Sequence, residues 1–407
     1  MKDSHSGAAV ASYRLHKAIS SIGMKSKMLV QRKNFDDNNI IGPSTKYGRM
    51  LGLMRPHIDQ LPVMLYKDKG KALFSPSWLY GKKLIKTINE LNPAIIHLNW
   101  IAGGMLRIED IAKIKKPIVW TLHDMWAFTG GCHIDMGCGK FITHCGKCHA
   151  LGSNKDRDLS FKIFRRKQKA YAKIKNLTIV GISRWLTESA RQSVLLKGKL
   201  VVTLPNPIDT NIFKPLDKKV ARKMLGIPEG KKVILFGAMS ATTNPNKGFA
   251  KLSEALKMLN GNNIELVVFG SNKPLATSVF KFPTHYLGRF HDDLSLVVLY
   301  SAADVMVVPS IQEAFGQTAT ESMSCGTPVV AFDTTGLKDI VDHEINGYLA
   351  RPYDPDDLAF GIKWILNNSN YNKLSLNAIN KVKDHFEMKK VAYQYSKLYE
   401  SILRIST

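Results

Sequence analysis

The chain has 407 residues, of which 44% are hydrophobic and 22% are charged, values ordinary for a soluble globular protein. This length exceeds what one hydrophobic core usually serves, so two domains are expected. No apolar run reaches the roughly 20 residues of a membrane span, and the N-terminus lacks a signal-peptide core, so we expect a cytoplasmic protein. The excess of 58 Lys and Arg over 33 Asp and Glu favours anionic partners such as phosphorylated substrates, acidic lipids or nucleic acid.

The first predicted helix covers residues 10–22 and follows the small residues Gly7-Ala8-Ala9. Small residues let the backbone at a helix start approach an anion, although the full G-x-G-x-x-G spacing is missing and a plain helix entry is the alternative. A doubly wound domain ordinarily has an apolar strand before such a turn, and only Met1–Ser6 precede it here. We therefore expect the natural start to lie upstream, with a vacant sheet position as the alternative.

Strands and helices alternate through the rest of the first half. After a strand over 27–31 and a helix over 78–91, strands are predicted over 95–98, 118–122, 178–181 and 201–204. His97 and His123 lie at the ends of two of these strands. At such a position His123 can hydrogen-bond a sugar hydroxyl or stabilise developing charge, and a satisfied structural histidine is the alternative.

Four of the five cysteines lie close together in the sequence, with histidines between them. They are Cys132, Cys138, Cys145 and Cys148. The last two have the C-x2-C spacing that is commonest among chelating cysteines, and a cytosolic location disfavours disulfides. The cluster predicts a small structural zinc site, with reduced, unliganded thiols as the alternative.

Residues 160–175 carry seven Lys or Arg and no acid, with apolar residues at roughly helical spacing. This pattern is typical of a basic amphipathic helix that lies on an anionic membrane surface. A helix that packs its apolar stripe on its own domain is the alternative. Nucleic-acid binding is not expected, because the chain has no zinc-finger spacing, no RNP-type motif and no low-complexity tail.

The second half predicts the same alternation, after a proline-rich linker at 205–215. The strands cover 233–238, 264–270, 285–290, 303–309 and 328–333, and the helices cover 247–259, 294–302, 315–325, 354–366 and 389–405. Strands that alternate with helices form a parallel sheet covered on both faces. The sequence therefore predicts an α/β protein of two doubly wound domains with a cleft between them, and ligands at the carboxyl ends of the strands.

Two carboxylates follow the apolar strand 303–309. Glu313 lies in the turn that contains Gly316, and Glu321 lies in the next helix, before the stop at Gly326. A helix N-terminus favours anions, and carboxylates accept hydrogen bonds from the hydroxyls of a sugar or ribose. The pattern favours a sugar site over two solvated acids.

Lys247 and Gly248 follow the polar loop 240–246, which comes after another predicted strand. A lysine at the mouth of a parallel strand can neutralise a diphosphate, whereas a solvated surface lysine is the usual alternative.

Together these motifs resemble those of the retaining glycosyltransferases of family 4, over almost the whole chain. The motifs that carry the resemblance are Glu313-x7-Glu321, Gly326–Val330, Asn206–Asp209 with Phe213 and Pro215, and Lys247-Gly248. The segment from Thr121 to His133 and the later cysteines resemble a subgroup found in bacterial exopolysaccharide and O-antigen clusters. The resemblance implies the GT-B fold, with Rossmann-like domains at 1–207 and 208–385 and a helix at about 386–407 that packs back on the first.

The resemblance also implies a role for each matching position of the second domain. Glu321 is expected to bind the ribose hydroxyls of a nucleotide sugar, and Glu313 the hydroxyls of the donor sugar. The backbone N–H groups of Phe315-Gly316-Gln317, with Lys247, are expected to hold the diphosphate. Arg289 and Phe290 belong to the segment Leu287–Phe290 that is expected to border the base.

In the first domain, the resemblance implies that Gly7 and Ala8 approach the diphosphate and that His123 contacts the transferred sugar. The chain departs from the family at Gly237–Ser240, where many members carry an arginine. Lys247 is therefore expected to carry more of the phosphate stabilisation, with Arg289 as a second source of charge.

The implied reaction moves a sugar from a UDP- or GDP-linked donor to a glycan or lipid-linked saccharide acceptor, with retention of anomeric configuration. A catalytic metal is not expected, because a lysine and backbone amides can neutralise the diphosphate. The implied location is the inner face of the cytoplasmic membrane. A nucleotide-sugar epimerase or a sugar phosphorylase on the same scaffold, and a non-catalytic basic membrane or nucleic-acid binder, are the alternatives.

Overall fold

The computed structural model describes residues 7–33, 37–70, 72–259, 261, 263–271 and 280–406. The chain divides into two compact units, Met1–Leu204 with Ala392–Thr407, and Pro205–Val391. Met1–Ser6, on which the prediction of an upstream start depends, lie outside the described residues.

The first unit contains a parallel sheet and its helices. Its elements are α1 Gly7–Ser21, β1 Met28–Leu29, β2 Ile40–Ile41, α2 Lys46–Asp59, α3 Leu61–Met64, α4 Lys82–Leu91, β3 Ile96–Leu98, α5 Ile108–Ile111, β4 Ile118–Leu122, α6 Leu159–Tyr171, β5 Leu177–Gly181, α7 Arg184–Gln192 and β6 Leu200–Thr203. The sheet has the order β3-β4-β5-β6, and β1 pairs with β2 apart from it. β4 and β5 are buried at every position, which explains why their sequences are apolar apart from Thr121 and Thr178.

Two helices of this unit begin at residues other than those predicted. α1 already begins at Gly7, so Gly7-Ala8 forms its first turn. α4 begins at Lys82 and not at Trp78. The carbonyls of Leu79 and Tyr80, which a helix from Trp78 would pair internally, accept hydrogen bonds from Arg55 at 3.3 and 2.9 Å.

The basic helix α6 packs its apolar side into its own unit. Ile163, Phe164 and Tyr171 are buried there, and Lys167 on the same face is buried with them. Because the apolar stripe is covered by protein, this helix cannot insert that stripe into a lipid surface. The membrane role predicted for residues 160–175 is therefore wrong for this helix, and the packed alternative is correct.

The second unit contains a longer parallel sheet with helices between its strands. Its elements are α8 Lys218–Leu225, β7 Lys232–Gly237, α9 Phe249–Lys257, β8 Ile264–Phe269, β9 Thr284–Tyr286, α10 Asp293–Ala302, β10 Val305–Val308, α11 Gln317–Ser324, β11 Val329–Phe332, β12 Gly347–Ala350, α12 Pro355–Leu366, α13 Tyr371–His385 and α14 Met388–Ser406. The sheet order is β12-β11-β10-β7-β8-β9. The order reverses between β7 and β10, and such a switch point is where doubly wound sheets bind ligands.

Asp304 fixes β10 beside β7 at the amino ends of the strands. Its carboxylate accepts hydrogen bonds from the backbone N–H of Val233 at 2.7 Å and from Arg222 of α8 at 2.6 Å. Lys218 donates to the other carboxylate oxygen at 2.8 Å. A buried carboxylate with three donors is well paired, so it can hold two strands and a helix together.

The C-terminal helix α14 belongs to both units, because residues from Ala392 onward cluster with the first. There the Tyr399 hydroxyl lies 2.6 Å from His97 Nδ1, and the Tyr395 hydroxyl lies 3.0 Å from Thr121 Oγ1. This is the return of the C-terminal helix to the first domain that the GT-B fold implies.

Gly248 ends the turn after β7 and lets α9 begin at Phe249. Its φ is +71°, and a side chain at this position would overlap the carbonyl oxygen of Pro309, which follows β10. Gly226, which ends α8, has a similar φ of +65° but open space around it. A substitution at Gly226 tests only the strain of the left-handed backbone, whereas a substitution at Gly248 also tests the close approach to Pro309.

We expect Gly226→Ala to lower the free energy of unfolding by about 1 kcal/mol, because only the left-handed backbone is strained. Gly248→Ala should lower it by several times as much, since the loops after β7 and β10 must also move apart. Urea unfolding followed by circular dichroism measures both variants. Equal losses would contradict the close approach of the two loops.

Candidate functional site

Lys247 and Glu313 meet at the switch point of the second sheet. Lys247 ends the 3-10 turn Pro245–Lys247 after β7, and Glu313 lies in the loop after β10. Lys247 Nζ is 2.7 Å from Glu313 Oε2, and the Ser310 hydroxyl donates to the same oxygen at 3.3 Å. The exposed fractions of the two charged side chains are 22% and 19%. The predicted phosphate-binding lysine and the predicted sugar-binding carboxylate are thus adjacent and still open to solvent.

The Asn246 side chain fixes the distance between these two loops. Its Nδ2 donates to the Gln312 carbonyl at 2.7 Å, and its Oδ1 accepts from the Gln312 N–H at 3.0 Å. The backbone N–H of Glu313 donates to Thr335 Oγ1 at 3.0 Å, which ties the loop to the segment after β11. Asn246 and Thr335 are not among the predicted site residues. Both are ordinary polar loop residues in the sequence, so only the sheet order shows their role.

The start of α11 presents hydrogen-bond donors beside this ion pair. Gly316 precedes the helix with a φ of +112°, and a side chain there would come within 2.9 Å of Leu337 Cδ2. Phe315 is buried and its ring contacts that of Phe386 at 5.4 Å. The side-chain Nε2 of Gln317 is buried and has no hydrogen-bond partner among the residues that the structure describes. An unpaired buried donor and the free N–H groups of a first helical turn suit an anion.

Glu321 is buried one turn further along α11, with an exposed fraction of 5%. The Tyr300 hydroxyl donates to Glu321 Oε2 at 2.8 Å. The Tyr300 ring contacts Phe269 at 5.9 Å, and Phe269 contacts Phe290 at 6.4 Å. The predicted ribose carboxylate and the predicted base-bordering Phe290 are therefore joined through two aromatic rings, while Arg289 beside them is exposed.

In the first unit, His123 lies at the carboxyl end of β4 as predicted. Its Nε2 is 2.9 Å from Asn99 Oδ1 and 3.4 Å from the Ser12 hydroxyl of α1. Burial lowers the pKa of His123 to about 4. Burial, together with His123, lowers the pKa of the adjacent His97 to about 3. Both imidazoles are thus neutral at pH 7 and act through hydrogen bonds and not through charge.

A buried polar network fixes the segment that follows His123. His133 Nδ1 lies 2.6 Å from Asp124 Oδ2 and its Nε2 lies 2.9 Å from Ser75 Oγ. The indole Nε1 of Trp100 donates to Asp124 Oδ2 at 2.9 Å, and the Trp126 N–H donates to Oδ1 at 2.8 Å. Burial raises the pKa of Asp124, but His133, the Trp126 N–H and His123 outweigh burial and keep that pKa below its usual value. The Ser75 side chain is 1% exposed and therefore cannot reach a substrate as a nucleophile. The network is thus structural, and it holds the segment after β4 in place.

The four clustered cysteines, Cys132, Cys138, Cys145 and Cys148, are free thiols. Within the described ranges, no three His, Cys, Asp or Glu side chains already stand in a metal-binding arrangement. Burial raises the pKa of Cys145 to about 12 and also raises the pKa values of Cys132 and Cys148. Without a cation these three thiols are therefore protonated at neutral pH, and the zinc site remains a prediction.

Comparison with known proteins identifies the chemistry of the second unit. Residues 217–385 match the family model described as glycosyl transferases group 1. This range includes Lys247, Glu313 and Glu321. This part of the chain, less than half of its length, is thus similar to the group 1 glycosyltransferases. The predicted transferase is thereby confirmed, in preference to the epimerase and to the non-catalytic binder.

Curated relatives of this chain support its assignment as a transferase. An uncharacterized glycosyltransferase of Methanocaldococcus jannaschii is 28% identical over 318 residues, which cover 72% of this chain and 78% of that protein. D-inositol 3-phosphate glycosyltransferase 2 of Catenulispora acidiphila is 34% identical over 181 residues, or 40% of this chain. The match spans 42% of the Catenulispora protein, less than half of its length.

Solved structures confirm the GT-B fold of the glycosyltransferase. Sucrose-phosphate synthase from Thermosynechococcus elongatus has a TM-score of 0.69 at 20% identity, and the likeness covers 98% of this chain and 94% of that one. Anabaena Alr3699/HepE in complex with UDP and glucose has a TM-score of 0.62 at 16% identity, over 97% of this chain and 96% of that one. At these identities the likeness establishes the fold alone.

The two neutral histidines predict how stability depends on pH. An unfolded histidine titrates near a pKa of about 6.5, whereas folded His123 and His97 titrate near about 4 and about 3. Between these values the unfolded chain binds more protons, so the free energy of unfolding falls as the pH drops below 6.5. Each histidine contributes up to about 1.4 kcal/mol per pH unit in that window.

Urea unfolding of the wild type and of His123→Gln between pH 4 and 7 checks this slope. The variant should lose part of the pH dependence, and His57→Gln, a change at an exposed position of α2, should keep it all. An unchanged slope in His123→Gln would show that His123 is not held neutral by the fold.

Proposed function

We propose that the protein is a retaining glycosyltransferase that moves a sugar from a nucleoside-diphosphate sugar to a glycan or lipid-linked saccharide acceptor of a bacterial surface polysaccharide. The observation that carries the proposal is the arrangement at the switch point between β7 and β10. There Lys247, Glu313 and the start of α11 provide a cation, an acceptor of hydroxyl hydrogen bonds and free N–H donors. Retention of configuration and the polysaccharide pathway rest on the family resemblance.

The diphosphate of the donor would bind at the start of α11. Lys247 would supply positive charge, and the N–H groups of Phe315, Gly316 and Gln317 would donate hydrogen bonds. The buried Gln317 amide supports this placement, because a phosphate oxygen provides the acceptor that the described protein groups do not. In the transition state the leaving diphosphate gains negative charge, so these donors stabilise it more than the ground state. This neutralisation by Lys247 and amides is why we expect no catalytic metal.

Glu313 and Glu321 would hold the hydroxyls at the two ends of the donor. Lys247 Nζ donates to Glu313 Oε2, so the cation and the sugar-binding carboxylate would act side by side on the donor. Glu321 would bind the ribose, with its carboxylate held by Tyr300. Phe290 and Arg289 would border the base.

Residues of the first unit would contact the transferred sugar and the diphosphate. His123 would donate or accept one hydrogen bond as a neutral imidazole, since burial lowers its pKa to about 4. Gly7 and Ala8 form the first turn of α1 and would offer backbone N–H groups to the diphosphate. Ser12 of the same helix lies 3.4 Å from His123, which links the two contacts.

The donor is proposed to carry a uridine or guanosine diphosphate. Structural neighbours of this chain include Anabaena Alr3699/HepE in complexes with UDP and glucose and with UDP-glucose. These complexes support a uracil nucleotide as the first donor to test.

The proposed location is the inner face of the cytoplasmic membrane, and the surface of α2 and α3 supports it. Tyr47, Met50, Leu53 and Met54 recur at helical spacing on α2 with exposed fractions of 70%, 51%, 48% and 48%. Leu61, Met64 and Leu65 continue this exposed apolar surface, and Lys46, Arg49, Lys67 and Lys69 are exposed basic residues of the same segment. Exposed apolar side chains with basic neighbours suit an anionic bilayer surface. No helix among the described residues is long and apolar enough to cross a bilayer.

We expect Lys247→Met to lower kcat roughly 100-fold, because one preorganised donor to a developing anion contributes about 3 kcal/mol. Glu321→Gln should instead weaken UDP binding roughly tenfold, through the loss of a charged acceptor for the ribose. Donor turnover and isothermal titration with UDP measure the two effects.

Lys251→Met is the matched control, because Lys251 pairs with Glu254 on the exposed side of α9 in the same unit. This variant should keep both the turnover and the affinity for UDP. A Lys247→Met enzyme with wild-type turnover and UDP affinity would contradict the proposed donor site.

For the membrane surface, we expect the double variant Met50→Ser, Leu53→Ser to bind vesicles containing phosphatidylglycerol at least about tenfold more weakly than the wild type. Each substitution removes an exposed apolar side chain that would enter the bilayer surface. Vesicle co-sedimentation at fixed salt measures the binding. Phe360→Ser with Leu376→Ser, at exposed positions of the second unit, is the control and should leave binding unchanged. Equal losses in both double variants would contradict a role for α2.

A further inference from the structure

The four clustered cysteines surround one small cavity. Cys132, Cys138, Cys145 and Cys148 all line a cavity of ≈ 20 Å³ in the first unit. A volume of this size holds about one water-sized sphere, and so a single ion and not a larger ligand. The cysteines are separated by up to 16 positions along the chain, so the fold and not the local sequence alone brings them to this one place.

The other polar side chains that line the cavity already have structural partners. The Asp135 carboxylate accepts hydrogen bonds from the N–H groups of Gly137 and Gly139 at 3.2 and 3.0 Å. Lys140 Nζ donates to the carbonyls of Gly146 and Lys147 at 2.9 and 3.0 Å. The thiols are therefore the groups best placed to bind a guest in the cavity, and soft sulfur ligands select zinc or copper(I) over harder cations.

The buried side chain of Lys167 would be stabilised by negative charge at the cysteines. Lys167 of α6 is fully buried, and its ammonium group donates to the carbonyls of Trp126 and Thr129 and lies over the Trp126 ring at 3.7 Å. These contacts are all with neutral groups. Burial lowers the pKa of Lys167 to about 7, and negative charge at Cys132, Cys145 or Asp124 opposes that shift. Buried charges are normally paired, and thiolates at these two cysteines would pair this one.

Backbone donors already point at two of the sulfur atoms. The N–H of Gly130 donates to Cys145 Sγ at 3.1 Å, and a side chain at Gly130 would come within 2.6 Å of the Cys145 Cβ. Burial raises the pKa of the Cys148 thiol, and the backbone N–H groups of Leu151 and Ala150 oppose that rise. Such donors stabilise a thiolate relative to a thiol.

A cross-link would stabilise the long connecting segment that contains the cysteines. Residues 123–158 connect β4 to α6 and contain only short 3-10 turns as regular structure among the residues described there. A connection of this length loses much conformational entropy when it is ordered, and a metal that joins distant positions of a loop offsets that loss.

We propose that Cys132, Cys138, Cys145 and Cys148 bind one Zn²⁺ ion as thiolates and that Lys167 offsets the resulting charge. Four thiolates and one Zn²⁺ carry two net negative charges, and the four protons released go to solvent. Because no three donors stand at coordination positions yet, binding requires the side chains to turn inward on the cavity they line. The site is remote in sequence from Lys247, Glu313 and Glu321, so the inference does not depend on the proposed donor site.

Metal analysis of the purified full-length protein, grown in zinc-supplemented medium, tests the proposal. We expect one zinc per chain, loss of that zinc in Cys145→Ser, and full retention in Cys325→Ser, which removes the buried cysteine that follows α11. Zinc removal with a chelator should lower the Tm of the wild type, and added zinc should restore it.

A second measurement covers the case in which Cys145→Ser does not fold. Cobalt(II) exchanged into the wild-type protein should give the intense thiolate-to-cobalt absorption of a tetrahedral sulfur site, without any variant. A wild-type protein with no zinc and four freely titrating thiols in its native state would overturn the proposal, as would iron in place of zinc. Zinc retained in full by Cys145→Ser would also overturn it.

Discussion

The site depends on the close approach of the loops after β7 and β10. Gly248 allows it, because any side chain there would overlap the Pro309 carbonyl oxygen. Asn246 then bridges to Gln312 through both its amide atoms, and Lys247 comes within 2.7 Å of Glu313. A doubly wound sheet leaves a crevice at the point where its order reverses, and these contacts place a cation and a carboxylate at the edge of that crevice.

The proposed chemistry follows from the hydrogen-bonding and charged groups that lie at this edge of the second sheet. A lysine, the free N–H groups of a helix start and the buried Gln317 amide suit a departing diphosphate, while Glu321, held by Tyr300, suits a ribose. Within the first unit, burial keeps the His123 imidazole uncharged, so that this side chain acts through hydrogen bonds and not through charge.

Largely apolar runs make most of the strands predictable from the sequence. β4, β7 and β10 are buried at nearly every position, and buried parallel strands have that signature. β12 is not predictable in this way, because Gly347–Ala350 is short and two of its four residues are glycine or alanine. Nor is α2 predictable, since its apolar residues face outward and Pro56 interrupts its pattern.

The roles of single residues were predictable only where a motif names them. The spacing of Glu313 and Glu321 pointed to the site, but their separate partners, Lys247 and Tyr300, follow from the three-dimensional order of strands and helices. In the same way, the basic residues of α6 are evident in the sequence. The sequence does not show which side of α6 is buried, because packing against the rest of the unit decides that and composition does not.

The most direct test of the central claim is a crystal structure of the protein with UDP bound. We expect the ribose hydroxyls within hydrogen-bond distance of the Glu321 carboxylate, and the diphosphate at the start of α11 within reach of Lys247 Nζ. A nucleotide bound elsewhere, with the Lys247–Glu313 pair and the first turn of α11 untouched, would contradict it.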